Sequence, residues 1–279
     1  MELDIYQVDA FTFERFKGNP AGVCITEKGL DERLMLAIAA EMAVSETAFL
    51  SLSDFSLRWF TPQVEVSLCG HGTLSVAHIL QETGRLAVGD EMGFNTLSGT
   101  LSVIAQHNRI AMAFPSPSLD FSVHINEVLF VYLGIQPQQV VSYCGFDGKW
   151  LIEVIDESIV LALAPNFEQL KQLPGRGVVV TAKRTTAKND AVIAHHSVDK
   201  GADFISRYFA PWVGVNEDPV TGSAHCALAV YWQKKLNKTC LKGYQASQRG
   251  GFVDMEVLAN EQVTLMGQAV TTLKGKIIL

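Results

Sequence analysis

Glu46 stands in Ala43-Val44-Ser45-Glu46-Thr47-Ala48-Phe49-Leu50, between a helical and a strand-like stretch. If strand alternation extends back to it, Glu46 shares a face with Val44, Ala48 and Leu50. A carboxylate on an apolar face is costly without a partner. Desolvation would raise its pKa toward the range where a general acid/base works at neutral pH. On this segment alone the other reading stays open: the alternation breaks and Glu46 faces solvent. His71 lies in Cys69-Gly70-His71-Gly72, and Ser223 in Thr221-Gly222-Ser223-Ala224. Each sequence places a glycine at a helix start. Helix N-termini expose unpaired N–H groups and the positive end of the helix dipole. A glycine there lets a ligand come close to the backbone. Two such ends facing one another would hold a small carboxylate. Against this, Gly70 and Gly222 can serve only tight turns, and His71 can cap its own helix. Asp218, just before the second loop, is placed to converge with His71 and Ser223 and to raise the Glu46 pKa further.

Other chemistries fit the residues poorly. There is no GxSxG, so His71, Asp218 and Ser223 do not read as a hydrolase triad. There is no HExxH, and Cys69 with His71 is a two-ligand fragment without partners at metal spacing. His195-His196 reads as a solvated loop pair. The five cysteines, Cys24, Cys69, Cys144, Cys226 and Cys240, form no CxxC and fit reduced thiols.

The elements around these residues are mixed. Strands are predicted at 3–8, 21–26, 47–52, 56–60, 159–164 and 178–181. Two or three more form a meander over 94–114, and the end, 262–279, is again strand-like. Helices are predicted at 31–42, 72–81, 126–133, 166–172 and 224–235. Pro115-Ser116-Pro117-Ser118 is the clearest linker. Trp59-Phe60-Thr61-Pro62-Gln63-Val64-Glu65-Val66 is echoed by Tyr208-Phe209-Ala210-Pro211-Trp212-Val213-Gly214-Val215 at an offset of 149. A glycine then opens a helix in each copy, with three extra residues, Asp218 among them, in the second. We read a duplication: two related domains, 1–117 and 118–262.

Composition bounds the function. The chain has 279 residues, 48% hydrophobic and 18% charged, enough for a core and too few charges for wholesale disorder. A net charge of −7 argues against phosphate-backbone binding. Mean hydropathy is +0.18. The longest apolar run, 128–135, is far below the ~18–20 residues a span needs. The N-terminus carries no basic, apolar leader. A cytoplasmic protein is expected.

In order along nearly the whole chain, Gly18-Asn19-Pro20-Ala21-Gly22-Val23, Ser45-Glu46-Thr47-Ala48-Phe49, Arg58-Trp59-Phe60-Thr61-Pro62, Glu65, Leu68-Cys69-Gly70-His71-Gly72-Thr73, Glu217-Asp218-Pro219-Val220-Thr221-Gly222-Ser223-Ala224 and Gly267-Gln268-Ala269-Val270 resemble the PhzF-like family of phenazine biosynthesis isomerases. The resemblance implies the α+β fold of diaminopimelate epimerase. In that fold two similar barrel-like halves each wrap a curved, mostly antiparallel sheet around a central helix. The last strand, about 268–279, would return to the first half. It also implies roles: Glu46 as the acid/base that moves a proton between carbons, with His71 and Asp218 beside it. Gly70, Gly72, Gly222, Ser223 and, less directly, Asn19 would bind substrate. Diaminopimelate epimerase pairs two cysteines, but here Thr221 stands opposite Cys69, and a threonine hydroxyl is too weakly acidic for a two-base reaction. The expectation is a cofactor-independent, metal-free isomerase of a small carboxylate substrate, the nearest family reaction being that of a dihydro-hydroxyanthranilate. Its alternatives are a one-base amino-acid epimerase or racemase and a non-catalytic small-carboxylate binder. No nucleic-acid or membrane partner is expected, and a homodimer is the assembly entertained.

Overall fold

A computed structural model describes residues 2–184 and 201–279. His195 and His196 lie outside the described residues. The chain divides into two compact units, Met1–Phe114 with Thr264–Leu279, and Pro115–Val263.

The first unit opens with β1 (Glu2–Ala10) and β2 (Asn19–Thr26), an antiparallel pair. Helix α1 (Glu32–Met42) crosses over to β3 (Glu46–Ser51), which runs parallel to β2. Asp31 caps α1 by accepting from the Arg33 N–H, and Ala43 ends it in a left-handed conformation. β4 (Leu57–Phe60) and β5 (Glu65–Val66) follow as antiparallel neighbours, and then comes α2 (Gly70–Glu82). β6 (Glu91–Thr96), β7 (Gly99–Gln106) and β8 (Arg109–Pro115) form the meander. β17 (Ala269–Ile278) pairs with β1, so the sheet order is β17-β1-β2-β3-β4-β5.

The second unit repeats this plan. α3 (Val128–Leu133) leads into β9 (Val140–Phe146) and β10 (Lys149–Val154), an antiparallel pair. Helices α4 (Glu157–Ala162) and α5 (Phe167–Leu170) cross to β11 (Val178–Lys183), parallel to β10. β12 (Phe204–Ala210) and β13 (Val215–Asp218) are antiparallel neighbours, and α6 (Gly222–Leu236) follows. β14 (Cys240–Gln245) and β15 (Gly251–Leu258) complete the unit, with β16 (Gln262–Gly267) straddling its boundary.

The strand registers carry the offset found in the sequence. Thr47 pairs with Phe60, and Val178 pairs with Phe209. Each hairpin is pinned by the same device. Arg58 grips Glu65 through Nε and Nη2, both at 2.6 Å, and lies over the Phe60 ring. Arg207 grips Glu217 at 2.7 and 2.9 Å and lies over Phe209. The planar fork matches both carboxylate oxygens, so each hairpin is held in one register as it enters its helix.

The predicted strand at 159–164 is instead mostly helix α4. Its β-branched Ile159 and Val160 suggested extension, but the Asp156 side chain accepts from the Ser158 N–H at 2.8 Å and starts a helix there. Fully buried Val160 then fixes α4 against the core. Strands β9, β10, β12, β14 and β15 were not singled out in the sequence.

Both α2 and α6 are buried on nearly every side: Leu74, Val76, Ala77, Ile79 and Leu80 in one, Ala224, Cys226–Ala229, Tyr231 and Trp232 in the other. Such helices belong inside a domain. α2 packs on β1, β2, β3 and β17, and α6 on β14 and β15. The class is mixed α+β, rich in strands with few helices. The order β17-β1-β2-β3-β4-β5 is an open run.

Candidate active site

In the first unit, the parallel register sets Ala21 beside Glu46, so the start of β3 lies against the start of β2. That register brings Asn19 and Ser45 together: Ser45 Oγ donates to the Pro20 carbonyl at 3.3 Å and lies 3.5 Å from Asn19 Oδ1. The His71 ring reaches the same point from the first turn of α2. Its Nε2 lies 3.2 Å from Glu46 Oε2 and 3.3 Å from Ser45 Oγ. Cys69, not His71, caps α2, its Sγ accepting from the Gly72 N–H at 3.3 Å. The same sulfur lies 3.5 Å from His71 Nδ1. Gly72 is required by packing: a Cβ there would come within 2.8 Å of Trp59 Cδ1 and 3.0 Å of Cys69 Sγ. Gly70 is the first residue of the helix.

The ionisation of this group corrects one expectation. Glu46 was expected to carry a raised pKa. Burial does push it up, but the hydrogen bond and charge of His71, with a hydrogen bond from Ser45, outweigh that and hold it below its ordinary value. For His71, burial opposes the charged ring. The Cys69 sulfur and the Glu46 carboxylate overcome it and hold the imidazole pKa well above its usual value. Burial pushes the Cys69 thiol up, against the pull of His71. These directions favour a carboxylate on Glu46, an imidazolium on His71 and a thiol on Cys69.

In the second unit, Asp218 ends β13 opposite Tyr208. Thr221 takes the place that Cys69 takes in α2, but its side chain makes no cap to α6. Its hydroxyl donates to Asp218 Oδ2 at 2.5 Å instead. Gln245 locks the loop, accepting from the Thr221 N–H at 2.9 Å and donating to the Asp218 carbonyl at 2.6 Å. Gly222 and Ser223 open α6, and Lys149 Nζ donates to Ser223 Oγ at 3.1 Å. Burial lowers the Lys149 pKa. Fully buried His225 donates from Nδ1 to the Thr221 carbonyl at 2.8 Å, and its Nε2 has no partner. Burial drives its pKa down to about 4, against the pull of that hydrogen bond.

The sequence-predicted residues therefore fall into two sets. Glu46, His71, Asn19, Gly70 and Gly72 gather in the first unit, and Asp218, Gly222 and Ser223 in the second. Sequence reasoning gave no role to Ser45, which stood in a quoted motif, nor to Lys149, Gln245 or His225. Lys149 and Gln245 are 74 and 22 residues from Ser223 in sequence, with no spacing to announce them. The second unit also lacks a counterpart of Glu46. The shared register puts Gly177 there, and a Cβ on Gly177 would strike the Tyr208 hydroxyl at 2.1 Å.

Solved structures define the class. A hydroxyproline epimerase from Agrobacterium vitis shares the fold, with a TM-score of 0.62 over 99% of this chain and 91% of its own at 12% identity. A PhzF family protein from Enterococcus faecalis is far nearer: TM-score 0.88 and 38% identity, covering all of both chains. Residues 8–275 match the family model of phenazine biosynthesis-like proteins, PhzC-PhzF, and the chain belongs to that family. An uncharacterized isomerase of Halalkalibacterium halodurans is 46% identical over the full length of both. The human phenazine biosynthesis-like domain-containing protein is 36% identical over 99% of each. No helix of the described residues is long and apolar enough to cross a membrane.

Proposed function

We propose that the protein is a cofactor-independent isomerase of a small carboxylate-bearing substrate, in which Glu46 carries a proton from one carbon to another. The observation that carries this reading is the Glu46–His71 pair at the start of α2, beside a thiol that burial keeps protonated. A carboxylate with a lowered pKa is ionised at neutral pH and ready to accept a proton. Once protonated it is more acidic than an ordinary glutamic acid and gives the proton back at a second carbon. The His71 imidazolium supplies a positive charge and hydrogen bond for the negative charge that develops when the C–H bond breaks. Asn19, through Ser45, holds His71 and Glu46 in place. Gly70, the first residue of α2, is proposed to meet the substrate carboxylate, whereas Gly72, whose N–H is taken by Cys69 Sγ, serves the site by making room for Trp59. Asp218, Gly222 and Ser223 are proposed as substrate-binding residues.

Deuterium incorporation from D₂O tests the proposal, with a dihydro-hydroxyanthranilate as the first substrate offered. The wild type should exchange the mobile hydrogen and convert the substrate. Glu46→Gln keeps size and polarity but removes the base. It should lower kcat by about 10²–10⁴ with affinity largely kept. Binding without exchange in the wild type would make the protein a carboxylate binder. Exchange that returns the substrate's mirror configuration would make it a one-base epimerase.

A further inference from the structure

Glu46 and His71 do not stand alone. Cys69 Sγ lies 3.5 Å from His71 Nδ1 and 3.9 Å from Nε2, and Glu46 Oε2 lies 3.2 Å from Nε2. One ligand atom from each residue falls within 4.8 Å of the others, and among the described residues no other three histidine, cysteine or acidic side chains gather this way. We propose that Glu46, Cys69 and His71 also form a binding site for a zinc-class divalent cation, whose occupancy switches the isomerase off. The inference rests on the assignment of Glu46 and His71 as the acid/base pair.

Distance, donor type and support agree. Tetrahedral zinc, with bonds of about 2.3 Å to sulfur and about 2.0–2.2 Å to nitrogen or oxygen, sets its ligand atoms roughly 3.3–3.6 Å apart. Through the shared His71 Nε2, the separations of 3.2 Å to Glu46 Oε2 and 3.9 Å to Cys69 Sγ need only small side-chain shifts to match. Thiolate, imidazole and carboxylate together suit zinc and its borderline neighbours, not magnesium or calcium, which take oxygen. Two ligands lie at the start of α2 and the third at the start of β3, so the set is assembled by the fold. The Gly72 N–H already orients the sulfur, and Ser45 Oγ lies beside the ring. Cys69 and His71 are nearly buried, while the Glu46 side chain keeps 21% of its surface exposed and marks the side from which an ion enters. Three protein ligands leave a fourth position open to water. On binding, the Cys69 thiol and the ligating His71 Nε2 release their protons to solvent, and Nδ1 keeps its own. The cation then occupies the Glu46 lone pair that would take the substrate proton.

Titration of metal-stripped protein with Co²⁺, followed by absorption, tests the site without any substrate. The expected result is one Co²⁺ per chain with an intense near-ultraviolet thiolate band, absent in Cys69→Ser. Zn²⁺ should displace the Co²⁺. Competition with a chromophoric chelator should show Zn²⁺ bound at least tenfold more weakly by both Cys69→Ser and Glu46→Gln. Circular dichroism melts report whether each variant is folded, and either variant alone suffices for the comparison. Co²⁺ binding without a thiolate band, or Zn²⁺ affinity unchanged in a folded variant, overturns the site. Deuterium exchange by the zinc-free enzyme separates the two claims. Exchange abolished in Glu46→Gln but no thiolate band sinks the cation site alone. A thiolate band with full exchange in Glu46→Gln sinks the acid/base assignment.

Discussion

Glu46 and His71 ionise as a pair, and this governs how the metal-free protein responds to pH. The folded pKa of Glu46 is lowered, so its share of stability is present above its ordinary value of 4.5 and is lost as pH falls through the folded value. The folded pKa of His71 is raised, so its share is complete below 6.5 and is lost as pH rises through the folded value. The pair stabilises most between these two ordinary values. His71→Gln should therefore flatten the decline in Tm on the alkaline side of 6.5, as melts across a pH series would show; an unchanged slope would mean that His71 is neutral at rest. Cys69 offers a second check. Its thiol is pushed up by burial, and its hydrogen bond from Gly72 can be made by a serine. With Glu46 as the base, Cys69→Ser should lose less than about tenfold in kcat, since one altered hydrogen bond costs roughly 1 kcal/mol. A loss as deep as that of Glu46→Gln would make the thiol catalytic.

At the scale of elements, α2 and α6 start alike and are used differently. Cys69 caps α2, whereas the Thr221 hydroxyl turns to Asp218 and leaves α6 uncapped by its own side chain. One turn into α6, His225 is fully buried, with Nε2 unpartnered and the ring against Phe204. Its pKa is lowered to about 4 from 6.5. A histidine that resists protonation in the folded state destabilises that state as pH falls from 6.5 toward 4, by a limit of about 3 kcal/mol. Asparagine keeps a donor near the Nδ1 position but cannot be protonated. In His225→Asn, the loss of Tm between those pH values should be visibly shallower than in the wild type, whatever its Tm at neutral pH. Equal slopes would place the acid sensitivity elsewhere.

At the scale of the whole molecule, the first unit is closed by residues from the far end of the chain. β17 pairs with β1 from Glu2–Ile278 to Ala10–Ala269, and Gly267 packs its Cα face on Phe11 and Leu74. A chain truncated after Gly267 should lose amide protection along β1, from Glu2 to Ala10, in hydrogen exchange. Native-like protection there would show that β17 only decorates the unit. The duplicated plan, with its matched Arg58–Glu65 and Arg207–Glu217 grips, also frames an asymmetry: one copy carries Glu46, and the other has Gly177 at that register.

The sequence alone determined the family and the α+β class, because these rest on local signals: ordered motifs and helix-opening glycines. It also singled out Glu46 and His71 by residue type and neighbours. Only the tertiary structure decided what state they are in. Whether a buried carboxylate titrates high or low depends on the charge a few ångströms away, and His71 comes from another element, 25 positions along the chain. The same holds for α4, where an aspartate cap and core packing overrode β-branched residues, and for Cys69, which became a third member of the Glu46–His71 group only when β3 and α2 were brought together. Distance in space, set by packing, is the quantity that spacing along a chain does not carry.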